Sequence, residues 1–131
     1  MGRGLIYFGG DNVTRLAMTK SQKLQKIMND FELFAKNFIY IINSSNQKIR
    51  FELNEAQKEL DKLLENNRFV IINKARKAGI STYMLAKALW RCVQNDNESI
   101  LIVSYKSDSA KYLFETLKKM NDWLPRDKYL F

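Results

Sequence analysis

The sequence predicts an α/β fold with a parallel βαβ unit at its centre, and three observations carry that expectation. Two short continuous apolar runs, Phe69-Val70-Ile71-Ile72 and Ile100-Leu101-Ile102-Val103, have the composition of parallel strands buried on both faces, where alternation with polar residues is not required. Between them Leu85, Ala88, Leu89, Cys92 and Val93 recur at i, i+3, i+4, i+7 and i+8, so Ser81 to about Gln94 reads as a crossover helix covering the sheet. The third is Gly79, the single glycine after residue 10, which falls where the first run turns into that helix.

Residues 1 to about 22 hold four of the five glycines and show no sustained period, so they read as a flexible or partner-dependent leader. Residues 23–131 read as one domain, since 131 residues at 46% hydrophobic suit one compact unit and are too few for two of ordinary size. From Leu24 to Ile42 a mixed apolar pattern ends in Phe38-Ile39-Tyr40-Ile41-Ile42. Asn43-Ser44-Ser45-Asn46 then supplies a turn and Gln47 to Leu53 a second short strand, which predicts a hairpin ahead of the main unit. Asn54 is placed to cap a helix whose apolar positions Ala56, Leu60, Leu63 and Leu64 share one face, and Asn66-Asn67 ends it. After the second apolar run, Ser107 is the expected cap of a third helix. Asp108 lies in its first turn, Ala110, Leu113, Phe114, Leu117 and Met120 form its buried face, and Trp123-Leu124-Pro125 closes it. The charged positions Lys58, Glu59, Asp61 and Lys62, like Lys111, Glu115, Lys118 and Lys119, read as the wet faces of these helices.

Composition narrows the chemistry. A formal charge of +8 favours polyanionic partners, whether nucleic acid, nucleotide or an acidic protein face. With no histidine and Cys92 as the single cysteine, histidine acid–base chemistry, Cys/His metal sites and internal disulfides are excluded. No apolar run approaches the roughly 20 residues needed to span a bilayer, and Met1 to Gly10 lacks a signal peptide's long apolar centre. The expectation is a cytoplasmic protein without a membrane partner.

The segment with specific chemistry is Asn73-Lys74-Ala75-Arg76-Lys77-Ala78-Gly79-Ile80-Ser81-Thr82. A loop joining a buried strand to a helix start gathers backbone N–H groups around one point, and the helix dipole adds partial positive charge there, so the segment is a candidate anion site. Gly79 lacks a Cβ and lets the turn adopt a conformation closed to other residues while the backbone approaches phosphate oxygens. Ser81 or Thr82 at the helix start either caps the helix or reaches a magnesium ion held by the β- and γ-phosphates. Against the common G-x-x-x-x-G-K-[ST] pattern, Lys74 replaces the first glycine and Ile80 the usual lysine. Lys74 leaves the strand end on the near side of the loop, and its flexible stem could carry the ammonium across to the phosphates. The competing reading is a solvated basic turn of the kind found in many α/β proteins.

Phe69 to Thr82 resembles the deviant phosphate-binding loop, the Walker A segment, of the large terminase subunit of tailed bacteriophages, the ATPase that drives DNA into viral procapsids. In that family the loop lysine can sit at the front of the motif, as Lys74 does, and an arginine three residues before the glycine is typical, the place of Arg76. Phe51-Glu52-Leu53-Asn54-Glu55-Ala56-Gln57 is similar to the family's adenine-recognition segment, with Gln57 as the base contact. Asn54-x-x-Gln57 equally has the form of a capping box, in which the amide returns to the helix N-terminus. Ile100 to Ala110 is similar to the family's second core strand and following helix, so the likeness spans roughly residues 31–131.

The resemblance implies an incomplete P-loop NTPase-like three-layer core. It implies ATP with Mg2+ as ligand, bound through Lys74, Arg76, Lys77, Ala78, Gly79, Ile80, Ser81 and Thr82, with Ser81 reaching the metal through the nucleotide. It further implies double-stranded DNA, the portal and the small terminase subunit as partners in a bacterial host cytoplasm. Lys77 stands where the family often has glutamine, which adds a charge to the loop. The family's acidic strand, with its magnesium-binding aspartate and catalytic glutamate, and its nuclease domain lie further along than Phe131. Asp108 and Glu115 belong by spacing to a helix start and a helix face.

The leading expectation is therefore a nucleotide-binding fragment that lacks the Walker B acid and is incomplete for turnover. The second is a non-enzymatic terminase-like module whose open sheet edge binds another protein, a motor component, regulator or host factor. Simple DNA binding through distributed lysines and arginines is the third.

Overall fold

A computed structural model of the chain describes residues 4–7, 15–74 and 78–128. The protein is a mixed α/β fold of helices and short antiparallel ribbons. The chain begins with β1 (Gly4–Tyr7) and β2 (Arg15–Met18), paired antiparallel with Gly4 opposite Met18 and Tyr7 opposite Arg15. The segment expected as a leader thus carries backbone pairing.

The mixed pattern that follows divides into two helices, α1 (Lys20–Asn29) and α2 (Phe31–Phe38). Thr19 and Gln22 form a capping box at the start of α1, and the Asp30 side chain accepts from the Leu33 N–H at the start of α2. The predicted hairpin is present as β3 (Tyr40–Ile42) and β4 (Lys48–Arg50), with Ile41 opposite Ile49. Its turn is built by Asn43, whose side-chain oxygen accepts from the N–H groups of Ser45 and Gln47, and by Asn46 in the left-handed region at φ 59°.

Helices α3 (Glu55–Asn66), α4 (Ile80–Gln94) and α5 (Ser107–Asp122) lie where the apolar periods put them. Asn54 and Asn67 bound α3 as expected. The cap of α5 is Lys106 rather than Ser107, which is its first helical residue, and Trp123 ends it. The buried faces differ in detail. On α4, Tyr83 and Ala86 join Leu85 and Leu89 in the core while Cys92 is exposed; on α5, Met120 is buried and Phe114 exposed; on α3, Ala56 and Leu63 are exposed.

The core sits where α2, the hairpin and α4 meet. Phe31, Phe34, Phe38 and Ile39 pack with Phe51, Leu60, Tyr83 and Leu89. Phe31 meets Tyr83 edge-on at 5.5 Å, and Phe34 meets Phe38 at 5.3 Å. The Trp90 indole N–H donates to the Met28 carbonyl at 2.9 Å, which ties α4 to the end of α1.

The expected parallel βαβ strands are not shown among the described residues. Neither Phe69–Ile72 nor Ile100–Val103 forms a β-ladder: the sheets among the described residues are β1–β2 and β3–β4, both antiparallel. A ladder needs a neighbouring backbone, and among the described residues the two apolar runs are not hydrogen-bonded to each other or to another strand. Among the described residues no helix is long and apolar enough to cross a membrane.

Candidate functional site: the Gly79 turn

Helix α4 starts on a backbone that only glycine adopts without strain. Gly79, its N-cap, has φ 75° and ψ 13°, the left-handed region. Its carbonyl accepts the first helical hydrogen bond, from the Tyr83 N–H at 3.0 Å, and a second from the Gln57 side-chain amide at 2.8 Å.

Gln57 is 3% exposed and is held on both sides. Its Oε1 accepts from the Asn54 N–H at 2.8 Å, while its own N–H donates to Asn54 Oδ1 at 2.9 Å. Asn54 Nδ2 reaches the Ala78 carbonyl at 3.4 Å. The capping box of α3 is therefore also a bracket for the turn that begins α4. A Cβ on residue 79 would lie 2.7 Å from Gln57 Nε2. What comes close to Gly79 on this side is the Gln57 amide. The capping-box arrangement that the sequence offered beside adenine contact is the one present: the Gln57 carboxamide oxygen and one amide hydrogen are taken by Asn54 and Gly79.

The other expected site residues divide. Arg76 and Lys77 lie outside the described residues. Lys74 is exposed and lines a cavity of about 940 Å3 together with Ile80 and Ser81. Ile80 is buried at the helix start, Ser81 is exposed, and Ala78 and Thr82 are half-buried. Among the described residues no side-chain hydrogen bond caps α4, so neither Ser81 nor Thr82 takes the capping role. Lys74, Ser81 and the start of α4 thus border one cavity, and their donor groups are of the kind that suits an anion. Among the described residues no group of three or more His, Cys, Asp or Glu side chains could hold a metal.

A second junction between α3 and α4 is not visible in the sequence pattern. Asp61, read as a solvated helix position, accepts from the Tyr83 hydroxyl at 2.5 Å and from Lys87 Nζ at 2.7 Å through the same Oδ1. Lys87 also lies 4.7 Å from the ring centres of Phe31 and Trp90. Burial, reinforced by the hydrogen bond to Asp61, pushes the Tyr83 phenol far above its ordinary value. The signal that could have found this pair is the coincidence of an acid on one predicted helix with Tyr and Lys four residues apart on the other.

No protein-family model matches the chain, and no curated protein is significantly similar to it.

Proposed function

We propose that the Lys74–Thr82 turn binds the phosphate tail of a nucleotide, ATP with Mg2+, and that the chain is the nucleotide-binding part of a terminase-like packaging ATPase with a P-loop-type core. The observation that carries this reading is the start of α4. A 15-residue helix begins on a left-handed glycine with no side-chain cap, facing a cavity shared with Lys74 and Ser81. The helix dipole and the uncapped amides favour negative charge there, and Lys74 adds a full positive charge. Among the described residues Lys74 makes no ion pair, which leaves its ammonium available to a phosphate.

In this reading the Ser81 hydroxyl would reach the metal through the bound nucleotide, and Mg2+ would neutralise phosphate charge. Gln57 supports the turn from behind instead of touching the base. Arg76 and Lys77 add charge to the same loop. Binding is the function assigned: among the described residues Asp61, the carboxylate bonded to α4, is committed to Tyr83 and Lys87, and Asp108 lies in the first turn of α5, so neither is given a catalytic role. Duplex DNA, a portal and a small terminase subunit, met in a host cytoplasm, are the partners that go with this reading.

Isothermal calorimetry with magnesium and a slowly hydrolysed ATP analogue tests it. Binding that weakens at least tenfold in Lys74→Ala supports the reading, and absence of heat with the native chain refutes it.

A further inference from the structure

The two apolar runs without ladder partners differ from ordinary loops in one respect: their exposure alternates. In the first, Phe69 and Ile71 stand out at 84% and 100% exposure, while Val70 packs on the core and Ile72 lines the cavity. In the second, Leu101 and Val103 stand out at 86% and 79%, whereas Ile100 and Ile102 are about half as exposed and line the same cavity. A period of two is the signature of a strand. Each run has one partly covered row and one row of large apolar side chains in water, and the cavity, which Leu101 of the outward row also borders, lies against both runs with Met84, Leu85 and Ala88 of α4 among its lining. Two strand-like segments with unpaired backbones and an apolar space beside them form a template for another strand.

Charge selects the occupant. Of the cations lining the cavity, Lys87 is matched by Asp61 and Arg91 by Glu98, but Arg68 and Lys74 have no ion-pair partner among the described residues, and Glu65 is the one acidic side chain in the lining. A second copy of this chain would bring its own +8 to an already positive rim. Nucleic acid would satisfy the cations but offers neither a ladder partner to the two backbones nor apolar side chains to Ile72, Ile100 and Ile102 in the cavity. We propose that this face receives an extended apolar segment of a different polypeptide, flanked by carboxylates, which adds as a strand beside the two runs. Its run is apolar on both faces, because one face meets α4 and the other continues the outward row. This goes beyond the nucleotide reading and does not require it.

The test uses the full chain and a fluorescein-labelled peptide with a Val/Ile run flanked on both sides by Asp and Glu, read by fluorescence anisotropy. Two control peptides carry Lys flanks or a central proline, which removes a ladder donor. The acidic peptide is expected to bind at least tenfold more tightly than either control. Ile71→Lys and Leu101→Lys, at exposed positions where the fold is not at stake, are expected to weaken it at least tenfold. That last result is discriminating, because the substitutions add positive charge and would strengthen a purely electrostatic attraction. The proposal is overturned by equal affinity for acidic and Lys-flanked peptides, by indifference to proline, by displacement of the peptide with a DNA oligonucleotide, or by a dimer in sedimentation that the same substitutions abolish.

Discussion

The Gln57 side-chain amide donates to the Gly79 carbonyl across 2.8 Å, joining residues 22 apart in sequence and fastening the N-terminus of α3 to that of α4. The contact accounts for the glycine in two ways. The left-handed φ of 75° excludes ordinary side chains, and a Cβ would press on the donor nitrogen. Position 79 therefore reports on the whole bracket of Asn54, Gln57, Ala78 and Gly79.

Gly79→Ala is expected to destabilise the fold by about 2–3 kcal/mol, from the left-handed backbone at about 1–2 kcal/mol and the displaced hydrogen bond at about 1 kcal/mol. Gln57→Ala removes the same hydrogen bond. The double variant is expected to fall short of the sum by at least about 0.5 kcal/mol in a urea-unfolding cycle. Strict additivity would show that the amide and the turn do not interact.

The Asp61–Tyr83–Lys87 junction gives a pH dependence at the alkaline end. The folded state holds the Tyr83 proton above the value of a free phenol, so above about pH 10 the unfolded chain releases a proton that the native chain keeps. The contribution is complete below that pH and declines as pH rises through the folded value. Thermal melts from pH 8 to 11 are expected to show a steeper alkaline loss in the native chain than in Tyr83→Phe. Parallel curves would contradict this.

Asp61→Asn leaves the Lys87 ammonium, largely buried, without its counter-charge. A loss of about 1–3 kcal/mol in chemical denaturation is expected, against about 0.5 kcal/mol or less for Glu59→Gln on the exposed side of the same helix. Equal effects would return Asp61 to the status of a solvated charge.

At the centre of the core, Phe34→Ala is expected to cost about 3–5 kcal/mol, because Phe34 is fully buried against Phe38 and neighbouring side chains. Phe114→Ala, at an exposed position of α5 that the apolar period alone would have put inside, is expected to change stability by less than about 0.5 kcal/mol. A measurement that ranks the two the other way would refute this assignment of the core.

What the sequence made legible follows the range of the interactions. Helix α3 was readable because its cap, Asn54, and its period lie within one stretch of chain, and the β3–β4 hairpin because Asn43 and Asn46 carry the turn chemistry themselves. The division at Asp30 into α1 and α2 had equally local signals, Thr19 with Gln22 and Asp30 itself, which the apolar pattern obscured. Pairing of Gly4–Tyr7 with Arg15–Met18 had no such signal. The runs at Phe69 and Ile100 show strand-like alternation, but their composition does not supply a ladder partner. At the site, the left-handed turn at Gly79 and its junction with a helix were legible. That the glycine accommodates Gln57, and that Asp61 faces Tyr83, depend on how α3 crosses α4, which no local pattern encodes.

The central claim is that the turn around Gly79, with Lys74, holds a nucleotide's phosphates. Calorimetric titration of the native chain and of Lys74→Ala with a magnesium-bound, slowly hydrolysed ATP analogue measures it most directly. The account predicts saturable binding to the native chain, weakened at least tenfold by the substitution, a loss of about 1.4 kcal/mol or more. Equal affinity in the two proteins, or no binding to the native chain, would contradict it.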